Sequence, residues 1–149
     1  MGQLTNAVKA TRVINATAAG VTTVNGSTID MQDFDGCRFL VAIGAVVAGS
    51  VSSVKLQDGN ASNLSDAADV AGSGQNITAG GTDDNSVIII DIFRPVKRYL
   101  RVVVLRATQN LTIDGAIAEQ YEGVFFPVTQ DATTIKHSKI VVSPADGTP

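Results

Sequence analysis

Arg38–Val47 reads RFLVAIGAVV, and its alternation decides the fold class. In an extended chain Phe39, Val41, Ile43, Ala45 and Val47 share one face, and Leu40, Ala42, Gly44 and Val46 share the other. Both faces are apolar, the pattern of a strand buried on both sides or covered by a neighbour. Downstream, Ser86–Phe93 (SVIIIDIF) and Tyr99–Ala107 (YLRVVVLRA) are β-branched runs of strand length. They are joined by Arg94-Pro95-Val96-Lys97-Arg98, where Pro95, lacking an amide hydrogen, belongs to the connection.

Leu111–Tyr121 (LTIDGAIAEQY) continues the series as a strand with a glycine bulge at Asp114-Gly115, its alternation running through. Ser52–Gln57 is a short strand closed by Asp58-Gly59, and Gly123–Val128 a further short segment. Upstream, Asn25-Gly26 between Val21–Val24 and Thr28–Met31 predicts a tight hairpin, and Asp35-Gly36 a second turn. Asn60–Asn85, rich in Asn, Ser, Asp, Gly and Ala, reads as long loops around one helical turn, SDAADV, with Ser65 as its N-cap. A loop of that length is usually functional or faces a partner.

The whole composition agrees. Of 149 residues, 19 are Val, 12 Ile and 14 Thr, against 7 Leu and 2 Glu, so a mainly helical fold is excluded. A chain this long buries about two-thirds of its unfolded surface as one domain. The count is about eight short antiparallel strands and the fold class all-β, a jelly-roll-like β-sandwich. The expected organisation is an N-terminal arm over 1–11, a sandwich over 12–128 and a C-terminal arm over 129–149.

Several functions are disfavoured. The net charge is −3 and the pI about 4.9, unlike a generic nucleic-acid binder. The most apolar uncharged stretch, 16 residues between Arg38 and Lys55, is short of a membrane-spanning helix, and no basic-then-apolar leader opens the sequence. Cys37 and His137 are the only Cys and His, too few for a structural zinc site. Cys37, at the entry of the most apolar strand, reads as a small buried hydrophobe, and His137 as an exposed or interface residue. DMQDFDG (Asp30–Gly36) approaches a calcium loop but lacks its closing Glu, so its Asp residues read as turn formers. Six Asn-x-Ser/Thr triplets fit chance in an Asn-, Ser- and Thr-rich chain, and no phosphate loop or nucleophile elbow is present. The expectation is a chain without catalytic residues, metal or cofactor.

Arg94, Lys97, Arg98, Arg101 and Arg106 place five of the 11 basic residues within 13 positions, leaving −8 on the rest of the chain. That cluster reads equally as a phosphate or nucleic-acid patch or as contact with an acidic partner surface or neighbouring subunit, with solvated strand faces and a solvated loop as the plain alternative. Charged residues are only 17% of the chain, so little charge repels neighbours, and exposed sheet edges invite pairing. These features suit a subunit of an assembly.

FDGCRFLVAIGAV, QDGNASNLSDAADVAGS and DIFRPVKRYLRVVVLRATQNLTIDGAIAEQYEG resemble a family of small tailed-bacteriophage proteins encoded near the major capsid protein. The ending SPADGTP is similar to that family's SPAEGT-type tail. The resemblance covers roughly 34–123 and the C-terminus, leaving 1–33 and 124–140 outside it. Some members are capsid decoration (cement) proteins of jelly-roll type that sit as trimers on the head. It implies a virion structural protein on the outer capsid surface, made in the host cytoplasm, whose partners are itself, as a homotrimer, and the major capsid protein. Neither direct nucleic-acid nor membrane contact is expected. The expected partner-binding residues are Gln3, Leu4 and Val8 in the first arm, Arg94, Lys97 and Arg98 in the cluster, and Ile140 and Val141 in the last arm. The alternatives are another virion component, in head completion or the tail, or a carbohydrate- or host-binding β-sandwich.

Overall fold

A computed structural model describes residues 3–80, 82–142 and 147. One helical turn, α1 (Leu4–Ala7), precedes β1 (Lys9–Ile14), β2 (Thr17–Gly20), β3 (Val24–Asn25), β4 (Ile29–Asp30), β5 (Phe34–Val46) and β6 (Ser52–Gly59). Then come β7 (Ala68–Asp69), β8 (Gln75–Ile77), β9 (Val87–Phe93), β10 (Tyr99–Leu105) and β11 (Leu111–Gly123). One sheet runs β1-β11-β5-β9, with β2 also on β11; the other runs β3-β10-β6-β7, with β4 also on β10 and β8 on β6. Every pairing is antiparallel.

The short strands are halves of longer ones. β1 and β2 lie along one edge of β11, β3 and β4 along β10, and β7 and β8 along β6. Counted so, there are eight strands, pairing first with eighth, second with seventh, third with sixth and fourth with fifth. That is one long hairpin rolled into two sheets, a jelly roll.

The core lies between the sheets. Cys37, Phe39, Val41 and Ile43 of β5 and Leu111, Ile113, Ala116 and Ala118 of β11 face Val54 and Leu56 of β6 and Leu100, Val102 and Val104 of β10. Each fully buried aliphatic or aromatic side chain of this kind contributes about 1.5–3 kcal/mol. Arg106, just beyond β10, is also buried: its guanidinium donates to the carbonyls of Thr22 (2.7 Å), Ala18 (2.9 Å) and Leu111 (2.8 Å).

The glycine bulge of β11 is present and does more than the sequence pattern indicated. Gly115 has φ +150°, and the register with β5 shifts between Ile113 and Gly115. The extra residue inverts the alternation. Leu111 and Ile113 point inward, but beyond the bulge Ala116, Ala118 and Gln120 do so, and Ile117 turns outward. β5 changes face beside it, so that Val46 is buried while Ala45 and Val47 are exposed.

Three turn expectations are corrected. Asn25-Gly26 is not a hairpin: β3 and β4 pair in succession with β10, and Gly26 N–H donates to Val102 O at 2.8 Å, so the strand along β10 continues past it. Asp35-Gly36 lies inside β5; the chain turns earlier, at Asp33, which has φ 69°. SDAADV forms no helix. Asn63 Oδ1 accepts from Ser65 N–H at 3.0 Å, Asp66 accepts from the amides of Asn60 and Ala61, and Ala68–Asp69 add to β6 as β7. Polar side chains closing tight turns outcompete a helix too short to nucleate.

At the N-terminus the sheet begins at Lys9, within the stretch read as an arm, because Lys9, Ala10 and Thr11 pair with Gln120, Glu119 and Ala118. Residues 128–134 lie along this edge. Val128 N–H donates to Asn6 O; Gln130 Oε1 accepts from Ala10 N–H at 2.9 Å, and its Nε2 donates to Thr5 O (2.9 Å) and Val8 O (2.7 Å). Thr134 Oγ1 accepts from Arg12 N–H at 3.1 Å. One sheet edge is thus closed by side chains of the C-terminal segment. The ending SPADGTP falls, except Gly147, outside the described residues.

Candidate functional site

The outer face of the β9-β5-β11 sheet is the most distinctive surface. Cross-strand register aligns Ile89 with Leu40 and Leu40 with Ile117, and Val87 with Ala42. Val87 (56%), Ile89 (54%) and Ile117 (44%) are exposed, and Leu40 is half-buried. Leu40 and Ala42 of the second apolar row of RFLVAIGAVV therefore have no covering layer among the described residues. Across the same face runs a charged row in which Arg38 Nε and Nη2 donate to Glu119 Oε2 (2.9 and 2.5 Å), with Asp91 directly across from Arg38. The Glu119 bond, more than any other influence, raises the basicity of Arg38.

Next comes an aromatic row. Phe93 and Tyr121 stack with ring centroids 6.5 Å apart, either side of Gly36 in register. Tyr121 Oη donates to Asp91 Oδ1 at 2.7 Å. Desolvation first, and the Asp91 carboxylate second, push the Tyr121 phenol up to about 12.

The edge of this face is β9. Arg94 N–H donates to Asp35 O and Ile43 N–H to Ser86 O, which fixes the parity of the ladder. Ile88, Ile90 and Ile92 direct their main-chain groups at β5, so those of Val87, Ile89, Asp91 and Phe93 point away from the sheet. Among the described residues nothing pairs with them. Beside this edge is a slot of about 370 Å³ between the two sheets, lined by Leu56, Val70, Gly72, Ser73, Ile90 and Ile92.

The basic cluster is dispersed by the fold. Lys97 Nζ pairs with Asp58 at 3.0 Å. Arg98 holds Asp30 through two bonds (2.8 and 2.7 Å) and also donates to Gln32. The Arg98 bonds hold the Asp30 carboxyl below its usual range. Arg101 donates to Gln57 Oε1, and Arg106 is consumed by backbone carbonyls. Arg94 alone of the five makes no side-chain hydrogen bond or ion pair among the described residues; its guanidinium lies 5.2 Å from the Phe93 ring centre. The partners of the others, Asp58 and Asp30, lie far away in sequence, which hid the compensation.

Of the expected arm contacts, Leu4 and Val8 are brought together. Leu4 and Val8 line an apolar groove with Tyr121, Phe126 and Pro127. Gln3 is exposed, and its Oε1 accepts from Asn6 Nδ2 at 3.3 Å. Ile140 and Val141 are exposed. Sequence reasoning missed Gln130 and Thr134, which close the β1 edge, and the outward row of β9; only the β-branched density of SVIIIDIF signalled the latter.

Cys37 is fully buried, and burial pushes its thiol up to about 12, far from a nucleophile's range. His137 is exposed. Among the described residues no three His, Cys, Asp or Glu side chains converge as metal ligands, and no helix is long and apolar enough to cross a membrane.

No protein-family model matches this chain, and no curated protein matches it. Among solved structures it is similar to the SPBc2 prophage-derived protein YomS, with TM-score 0.43, 11% identity, and 76% of this chain and 93% of that one covered. It is also similar to structures of infectious bursal disease virus, Gt strain (TM-score 0.47, 11% identity) and Gx strain (0.45, 10%). Each of these covers 80% of this chain, which spans about a third of the virus chain (33%). None reaches a TM-score of 0.5, so these likenesses say nothing of what this chain does.

Proposed function

We propose that this chain is a non-catalytic virion subunit that self-associates as a trimer and binds the major capsid protein lattice on the outside of a tailed-phage head. The observation that carries the reading is the uncovered apolar face of the β9-β5-β11 sheet, beside an open sheet edge. A free monomer gains nothing from exposing Val87, Ile89 and Ile117 in one row, whereas an assembly buries them. The sequence resemblance supplies the tailed-phage context, and the jelly roll is the fold expected of that family's decoration proteins.

The mechanism is mechanical. A trimer seated where capsomers meet clamps neighbouring capsid subunits and resists outward pressure from packaged DNA. Of the proposed basic contacts, Lys97 and Arg98 are already ion-paired within the chain, so Arg94 is the cation free to meet an acidic capsid surface.

The test is co-sedimentation with expanded heads assembled from the major capsid protein of the same genome. Saturable binding that weakens several-fold in Arg94→Glu is expected. Failure to bind expanded heads overturns the decoration role.

A further inference from the structure

We infer that the open edge of β9 takes the Lys139–Val142 segment of a second copy of this chain as an added strand. The inference rests on the self-association proposed above and names the elements that would make it.

The two edges of this sheet are treated differently. At β1 the Val8 carbonyl and the Ala10 and Arg12 amides are met by Gln130 and Thr134. At β9 the outward groups of Ile89 and Asp91 have no partner among the described residues, and the strand is long and β-branched. An unpaired edge of this kind is a template for another strand. Alternate side chains of the added strand enter the slot beside Leu56, Val70 and Ile92 or extend the apolar row of Ile89 and Leu40.

Ile140-Val141-Val142 is a β-branched run outside the sandwich, exposed throughout and paired with no strand among the described residues. Lys139 precedes it, a charge that complements Asp91 in the middle of the open edge.

The segment cannot come from the same copy. Ser138 lies beside Val8, Ala10 and Glu119, at the β1-β11 side. From β11 past β5 and β9 to the position of an added strand is three spacings, about 14 Å. The two residues from Ser138 to Ile140 span at most about 7 Å. A tail from one copy on the edge of the next is a heterologous contact, which closes into a ring such as a trimer.

The experiment is light scattering on the full chain with two kinds of variant. Ile89→Pro removes an outward N–H from the edge, a position where an edge strand tolerates proline. Ile89→Lys is the second edge variant in case the first does not fold, and circular dichroism melts identify folded chains. Val141→Pro disables the tail. Trimers are expected for the wild type and monomers for each variant alone. Mixing an edge variant with Val141→Pro restores one intact contact and gives 1:1 dimers, an outcome a general loss of stability does not produce. An oligomeric wild type whose variants keep its mass overturns the inference and leaves self-association standing. Loss of association in the Ile89 variants but not in Val141→Pro also overturns it, since β9 then meets something other than the tail. A monomeric wild type overturns self-association as well, and head binding is then measured separately.

Discussion

Tyr121 lies flat across Gly36: a Cβ built on Gly36 would stand 2.1 Å from Tyr121 Cζ and 2.2 Å from Cε2. The glycine is what lets the ring settle on β5, stack with Phe93 and reach Asp91. Gly36→Ala forces the ring off the sheet. The expected cost is about 1–3 kcal/mol, the range of overpacking. Urea unfolding of Gly36→Ala measures it, and an unchanged midpoint contradicts the packing described.

Arg106 is a buried cation whose hydrogen bonds go to the backbone. It is 6% exposed and serves carbonyls from Ala18, Thr22 and Leu111, tying the β2–β3 connection to the start of β11. Arg106→Met keeps the stem but leaves those carbonyls without their donor. A loss on the order of 3 kcal/mol is expected, since each buried group left unpaired costs roughly 1–3 kcal/mol. For a domain of this size that is a fall of about 10 °C in Tm. Calorimetry of the variant reads it directly.

Alkaline pH destabilises the fold through two acids that ionise late. The Cys37 thiol moves from its ordinary 9.0 to about 12, chiefly by burial, and the Tyr121 phenol from 10.0 to about 12, also chiefly by burial. The unfolded chain releases these protons first, so between about pH 9 and 12 the folded state binds more protons and stability falls as pH rises. Below pH 9 this loss is absent. Cys37→Ala, compared with wild type across pH 8 to 11.5, is expected to show a shallower decline; parallel curves would remove Cys37 from the account.

Gln130 fastens the N-terminal edge through Thr5, Val8 and Ala10. Gln130→Ala is expected to cost about 1–2 kcal/mol, a modest sum because the freed backbone groups are near water. The sharper readout is hydrogen exchange. The Ala10 amide loses protection while Phe39 and Val103, whose amides face β9 and β6 in the core ladders, keep theirs.

Sequence reading recovered the fold where apolar runs are long and failed where short polar turns decide. Arg38–Val47, Ser86–Phe93, Tyr99–Ala107 and Leu111–Tyr121 are strands because burial and β-branching agree over seven or more residues. Asn25-Gly26 looked like a hairpin because nothing local shows that Val24 and Ile29 share β10 as partner. The bulge at Gly115 was legible, but its inversion of the faces was not, since that depends on register with β5. The two apolar faces of Arg38–Val47 permitted burial within the chain or cover by a neighbour; among the described residues the row around Leu40 is left uncovered. The basic cluster misled for a similar reason: Asp30, Asp58 and Gln57 reach it only across strands.

The proposed role of this jelly roll is that of a phage-head subunit. Cryo-electron microscopy of expanded heads mixed with an excess of the purified chain tests it most directly. The account predicts threefold density at the junctions of capsomers, with the β9-β5-β11 face turned into a subunit or capsid contact. Bare heads, or bound copies with that face open to solvent, would contradict it.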